Sequence, residues 1–465
     1  MLEIPIYYII FASIGALIIN GIICTFTNNR KWGAIISTAL FLAIAVISVS
    51  LMESGGNALV FSIIHLYPFS LLFVLLFSIT MLLVNILAFA YSKDYSKILL
   101  LFSFSFTGLV IIATANSAIS IFLGLELVSV PSALMMLFDG KHRIEAAIKF
   151  FILSSVSIAI FSFALALLLP FNPQLGLSAV TQSANITGIS LLLLSIVFFI
   201  VAFGFDTALF PFNLWVPDVY EGSPTYITAM LAGINKKAAF AGLIEIFFII
   251  LMPYAPAFSS VFAVLAIFTM FFGNILALVQ TSVKRIFAYS SISQAGYILV
   301  GIAAATEFGL QASIFYIVAH SFMIIGAFAV VLWLESKSIR TLDEYNGLSS
   351  RSKFAAVSLT ILMLSMAGIP PLMGFTGKLL LFSSALSANL ALLAVIGIIN
   401  SFISIYYYAK VINAMYSRKK VSQLRIDPYI ATVVVICVIL VIAFGVFPQP
   451  ILAASANAAK SIFGI

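Results

Sequence analysis

The sequence predicts an all-α polytopic membrane protein of about fourteen transmembrane helices, with two inverted repeats of about five helices and with helices 7 and 12 broken. Three observations carry this reading. The 465 residues are 63% hydrophobic and only 8% charged, with a mean hydropathy of +1.23. Apolar runs long enough to cross a bilayer begin near residues 6, 33, 68, 97, 117, 144, 187, 224, 260, 285, 311, 355, 390 and 429. Basic residues return at every second loop.

The loops after odd-numbered runs hold Arg30 and Lys31, then Lys93 and Lys97, then Lys141 and Arg143. Further along they hold Lys284 and Arg285, then Lys337, Arg340, Arg351 and Lys353, and finally Arg418, Lys419, Lys420 and Arg425. The loops after even-numbered runs hold no Lys or Arg. The positive-inside rule therefore places the basic loops in the cytoplasm and both termini on the outer face of the cell membrane. A missed or invented span would destroy the alternation. The connection from run 7 to run 8 is the exception, with Asp218 and Glu221 but no base, and acids weigh little on orientation. The opening MLEIPIYYII lacks a basic n-region and reads as the first span rather than a signal peptide. The net charge of +7 lies in short loops and does not indicate nucleic-acid binding. Cys24 and Cys437 sit in apolar runs and read as small core residues.

The stretch AGIPPLMGFTGKLLLF (367–382) lies inside run 12. Proline removes a backbone donor and clashes with the preceding turn, so the helix should break at Pro370–Pro371. Run 7 ends at Pro211 and should break too. The two breaks are five spans apart, an odd number, which is the spacing of oppositely oriented repeats. The chain then divides into helices 1–3 (1–96), a first repeat (97–252), a second repeat (253–416), and a cytoplasmic loop with helix 14 (417–465). No stretch reads as a soluble domain, a nucleotide loop or a CxxC pair, so redox chemistry would belong to another polypeptide.

Eight ionisable residues inside the apolar runs are candidates: Glu126, Lys149, Asp206, Lys236, Lys237, Glu245, His320 and Lys378. Such residues are costly at bilayer depth and mark ion pathways. Each also has a packing reading, since lysines near span ends snorkel and a buried acid can pair with a base. Glu126 lies mid-span, too deep to snorkel, whereas Lys149 is close enough to the cytoplasmic loop to do so. Asp206 precedes the Pro211 break, and Lys378 follows the Pro370–Pro371 break. Neighbouring helical residues point about 100° apart, so only one of Lys236 and Lys237 is expected to face the interior. Glu245 reads equally as a functional acid or half of a structural pair. His320 is a candidate intermediate that titrates near neutrality. Alternating buried acids and bases suit proton movement, because a group whose partner moves away changes its proton affinity.

Five stretches carry a family resemblance: LGLELVSVPSALM (123–135), PFNLWVPDVYEGSPTYITAML (211–231), NILALVQTSVKRIFAYSSISQAGYILVG (274–301), AGIPPLMGFTGKLLLF (367–382) and INSFISIYYYAKVINAMY (399–416). They resemble the antiporter-like membrane subunits of respiratory complex I. WVPDVYEGSPT is more similar to the subunit N branch of NADH-quinone oxidoreductase than to subunits L or M. The resemblance implies the same inverted-repeat build and a chain of buried charges linked to quinone reduction elsewhere in a complex. Glu126 would match the family's fifth-helix glutamate, Lys236 its eighth-helix lysine and Lys378 its twelfth-helix lysine. Asp206 stands where the family has a seventh-helix lysine, and Asn213 and Gln294 stand where it has histidines. Two carboxyls, Glu126 and Asp206, would then face each other. Either Lys149 or Lys236 supplies the missing positive charge, or one carboxyl stays protonated.

The function implied is that of a proton-translocating, non-redox subunit of a complex I-like quinone oxidoreductase. Its relay would include Glu126, Lys149, Asp206, Lys236, His320 and Lys378. It would bind no cofactor itself, with quinone and redox centres on partner membrane and peripheral subunits and NADH as the family's usual donor. A subunit of a multi-subunit cation/proton antiporter is the alternative. A purely structural scaffold is a third reading, against which Lys378 and the broken helices argue.

Overall fold

The computed structural model describes residues 7–60, 64–139, 142–180, 186–417 and 422–464. Residues 1–6 and the loop bases Lys141, Arg418, Lys419 and Lys420 lie outside the described residues, with the expectations placed on them. The chain opens with α1 (Tyr7–Thr27) and α2 (Arg30–Glu53), then strands β1 (Ala58–Val60) and β2 (Ile64–Leu66). Next come α3 (Pro68–Tyr91), α4 (Tyr95–Ala113), α5 (Ala118–Met135), α6 (Arg143–Leu168) and α7 (Ile186–Thr207). Shorter pieces follow: α8 (Trp215–Gly222), α9 (Thr225–Met230) and α10 (Lys236–Glu245). Then come α11 (Ala255–Leu278), α12 (Val283–Ala303), α13 (Glu307–Ser336) and α14 (Leu348–Arg351). The last are α15 (Lys353–Ala367), α16 (Met373–Ser387), α17 (Ala391–Tyr416), α18 (Pro428–Val446) and α19 (Gln449–Phe463).

Among the described residues, twelve helices are long and apolar enough to cross a membrane. Large apolar side chains such as Phe163, Leu392 and Phe402 remain exposed, as lipid contact requires. Helix starts follow local chemistry. Ser117, Ser282, Thr306, Ser352 and Asp427 each accept a first-turn amide of α5, α12, α13, α15 and α18. Proline opens α3 and α18, where its missing N–H costs nothing.

Two elements depart from the sequence reading. The loop after α2 holds a small antiparallel hairpin, with Ala58 opposite Leu66, so the chain is not wholly α. The short apolar run ALV…IHL is too brief to show a strand period. The C-terminal part, expected to hold only a loop and helix 14, forms two helices, because Pro448 stops α18 and α19 restarts after it.

The helices form two compact units. The first contains Met1–Thr207, Ile234–Phe258 and Ala454–Ile465. Within it α5 packs on α4 at a crossing of two glycines, where a Cβ on Gly108 would lie 2.7 Å from the Gly124 carbonyl oxygen. This close approach fixes α5, and with it Glu126. α10 packs against α4 and α7, and Phe463 of α19 lies edge-on to Phe248. The second unit contains Ala208–Gly233 and Ser259–Ala453. Its axis is α13, whose most apolar window is entirely buried among α9, α12, α15, α16 and α18.

The loop between α13 and α14 is organised by Glu344, whose carboxylate accepts the amides of Thr341 (2.8 Å) and Arg340 (2.6 Å). These bonds hold its carboxyl below the usual glutamate range. A lowered folded value stabilises above the unfolded value, and the contribution is lost as pH falls through the folded one. Glu344→Gln is expected to accelerate hydrogen exchange at the Thr341 and Arg340 amides at neutral pH. Unchanged exchange would show that the carboxylate does not order the loop.

Candidate functional site

In the second unit the site is built on the break between α15 and α16. Gly368, at a left-handed φ of 89°, ends α15, and the Pro370–Pro371 bond is cis. A helix end leaves carbonyls without intrahelical partners. Those of Met366 and Ala367 are taken by side chains: Gln294 Nε2 donates to Met366 O (3.2 Å), and Ser401 Oγ donates to Ala367 O (3.1 Å). Lys378, on the second turn of α16, reaches back to the same carbonyl. Its Nζ donates to Ala367 O (3.2 Å) and Ser401 Oγ (2.9 Å) and lies 4.3 Å from the Tyr297 ring centroid. The lysine is 3% exposed, and no carboxylate pairs with it among the described residues.

A buried polar network continues from this ammonium. Asn274 Nδ2 reaches Tyr297 OH (3.4 Å) and Asn400 Oδ1 (3.1 Å), and Tyr407 OH donates to Asn274 Oδ1 (3.1 Å). Gln294 Nε2 also donates to Tyr408 OH (3.3 Å), which bonds Ser290, while Tyr316 OH donates to Gln294 Oε1. Tyr316 precedes His320 by one turn on α13, and His320 is fully buried. Sequence reasoning had singled out Lys378 and His320 but no network member other than Gln294. A signal was present: Ser290, Gln294 and Tyr297 recur at helical spacing in an apolar helix, as do Asn400, Ser404 and Tyr408.

The first unit holds the other candidates. Asp206 sits in the last turn of α7, followed by Ala208 at a φ of 63° and a cis Phe210–Pro211 bond. Asp206 is within hydrogen-bond reach of Ser157 Oγ (3.5 Å) and near enough to Glu126 for the two carboxyls to repel. Glu126 is half-buried in α5, one turn before Pro131, whose missing N–H leaves the Leu127 carbonyl without its helical donor. Lys149 bonds Glu145 at 2.7 Å, one turn back toward the start of α6, and both are partly exposed.

The two lysines of α10 depart from the expectation that only one faces the interior, and Glu245 lacks, among the described residues, the basic partner that one of its two readings required. Lys236 and Lys237 are each 1% exposed, so both are interior, because every residue of α10 is buried and no outward face exists. Glu245 is fully buried but pairs with no base among the described residues; Tyr67 OH donates to its Oε1 at 2.9 Å. π-turns at Leu231–Asn235 and Ile246–Ile250 bracket α10, and such turns often mark functional sites. In the first, Asn235 Nδ2 donates to Ser132 Oγ at 2.8 Å.

Two broken helices carrying buried ionisable groups, set among apolar spans, define an antiporter-like polytopic membrane protein. Residues 115–404 match the family model described as NADH:quinone oxidoreductase/Mrp antiporter, transmembrane. The chain belongs to that family. It is 34% identical to F(420)H(2) dehydrogenase subunit N of Methanosarcina mazei, over 93% of this chain and 92% of that one. It is 33% identical to NADH-quinone oxidoreductase subunit N of Moorella thermoacetica, over 94% of each. A chain of respiratory complex I from Thermus thermophilus superposes with a TM-score of 0.82 at 27% identity, covering 96% of this chain and 99% of that one. A chain of the Mrp complex of Dietzia matches in fold alone, with a TM-score of 0.90 at 19% identity, covering 98% and 97%.

Proposed function

We propose that this chain is a proton-translocating membrane subunit of a complex I-like quinone oxidoreductase. The observation that carries this is Lys378: an ammonium buried at a helix break, held by a carbonyl, a hydroxyl and a ring. Such a group can lose its proton without stranding a paired carboxylate, and the network from Tyr297 onward offers hydroxyls and amides along which a proton moves. Glu126, Lys149, Asp206, Lys236, His320 and Lys378 make up the relay, with Lys149 at its partly exposed end. Electrons do not enter the chain. The donor is oxidised and quinone reduced on partner subunits, which hold the redox cofactors, and the relay responds to that chemistry. The interrupted segments 225–250 and 353–387 add two spans to the long helices, for about fourteen, and 97–252 and 253–416 form the inverted repeats. The protein resides in the plasma membrane with its basic loops cytoplasmic. The Mrp-type antiporter shares the fold, but kinship at a third identity over nine-tenths of both chains lies with subunits N.

The test is Glu126→Gln in the assembled complex, reconstituted in liposomes. The variant removes a titrating group while keeping shape. Proton pumping coupled to quinone reduction is expected to be lost, with electron transfer retained in the presence of an uncoupler. Wild-type pumping would remove Glu126 from the relay.

A further inference from the structure

Glu245 is a buried acid that the relay above does not use. It is the last residue of α10, immediately before the π-turn at Ile246–Ile250. Its carboxyl is fully buried and receives one hydrogen bond, from Tyr67 OH. Its second oxygen, Oε2, is buried without a hydrogen-bond partner. An ionised carboxylate with one neutral donor in apolar surroundings costs several kcal/mol, roughly, that a glutamine or leucine would avoid. A packing role therefore does not account for it. A proton on Oε2 does, because it removes the charge that the site has no base to balance.

The surroundings of Tyr67 give the site a direction. Tyr67 caps α3 and stacks on His65 of β2, with ring centroids 4.6 Å apart. His65 is half-buried, with its ring held below the usual histidine range by burial, and its Nε2 lies 3.0 Å from Asn57 Oδ1 at the exposed hairpin. Polar groups thus lead from Glu245 to the hairpin, in a loop that carries no Lys or Arg and so belongs to the outer face.

We infer that Glu245 is a proton-binding site of the first unit, with Tyr67 as its positioning residue, opening toward the hairpin face. The step is simple: a proton binds Oε2 and leaves from it, and the carboxyl charge changes by one. Tyr67 donates to Oε1 in both states and leaves Oε2 as the oxygen that takes the proton. The inference rests on the proton-translocation reading but has a readout of its own.

That readout is infrared difference spectroscopy of the assembled complex during quinone reduction. A carboxylic-acid band that changes with turnover is expected, and Glu245→Gln should abolish it and lower the protons moved per quinone. Tyr67→Phe keeps the carboxyl and should shift the band, since one hydrogen bond is lost. If Glu245→Gln does not assemble, the Tyr67→Phe shift decides alone, and an unshifted band overturns the assignment. Lys378→Ala is measured beside them. Loss of pumping in Lys378→Ala with wild-type pumping and an intact band in Glu245→Gln overturns the Glu245 site alone. Wild-type pumping in Lys378→Ala overturns the relay and, with it, the site that rests on the relay.

Discussion

Lys378→Ala is expected to abolish proton translocation through this chain while leaving the complex assembled. The two halves of that expectation come from different atoms. The lysine Nζ makes two hydrogen bonds, to Ala367 O and Ser401 Oγ, and both acceptors are neutral. Removing it costs about 1–3 kcal/mol. Ala367 O keeps its bond from Ser401 Oγ, so the end of α15 is not left bare. The break should therefore hold its shape, and only the proton carrier is lost. Lys378→Arg sharpens the test. A guanidinium keeps the positive charge and can donate to the same acceptors but does not release its proton. If Lys378 acts by titrating, the arginine variant pumps no better than the alanine variant. If it acts only as a fixed charge, the arginine variant pumps and the alanine variant does not. Pumping in reconstituted liposomes, normalised to quinone reduced with an uncoupler present, separates the two. Wild-type pumping in Lys378→Ala would remove the residue from the mechanism.

The breaks were legible in the sequence because proline acts locally. Pro370–Pro371 and Pro211 each remove backbone donors and crowd the preceding turn, and α15 ends at Ala367 and α7 at Thr207, although α5 runs through its single Pro131. The burial of Lys378 was legible for a similar reason, since a long run of apolar neighbours has to be kept from water. What surrounds each charge was not legible, because partners come from other helices. Nothing in α10 announces that Tyr67, far upstream in the chain, closes on Glu245. Nor does AGIPPL show that Gln294 and Ser401 cover its bare carbonyls. The paired lysines misled for a different reason. A helix with one buried face would turn Lys236 and Lys237 apart, but α10 is buried on every side. Periodicity reports faces only where a helix has an outside. The hairpin at Ala58–Leu66 escaped because three-residue strands carry too little pattern.

Gly374→Ala is expected to disable the same break from the backbone side. Gly374 is the second residue of α16, and its N–H donates to Ser365 Oγ at 3.1 Å. A Cβ there would overlap the Ser365 carbonyl oxygen and lie 2.7 Å from its carbon. The last turn of α15 and the first of α16 thus pass side by side at backbone contact. On α18, a Cβ on Gly445 would overlap the Pro371 carbonyl oxygen, so the break is also closed from that side. A methyl at 374 has no flexible neighbour to push aside. Overpacking typically costs about 1–3 kcal/mol, and a clash with backbone sits at the upper end or beyond it. The displaced turn carries the Ala367 carbonyl, two residues past Ser365, so the bonds that hold Lys378 should be strained together with the fold. Gly15→Ala is the matched control, because nothing lies within 4 Å of a Cβ built there. In α1 that change should be neutral or stabilising by up to about 1 kcal/mol. Thermal unfolding of the complex and coupled pumping are the measurements. Gly374→Ala should lower both and Gly15→Ala neither. Equal behaviour of the two variants would mean that the half-helices can part at no cost, and that Lys378 is not held by the geometry of the break.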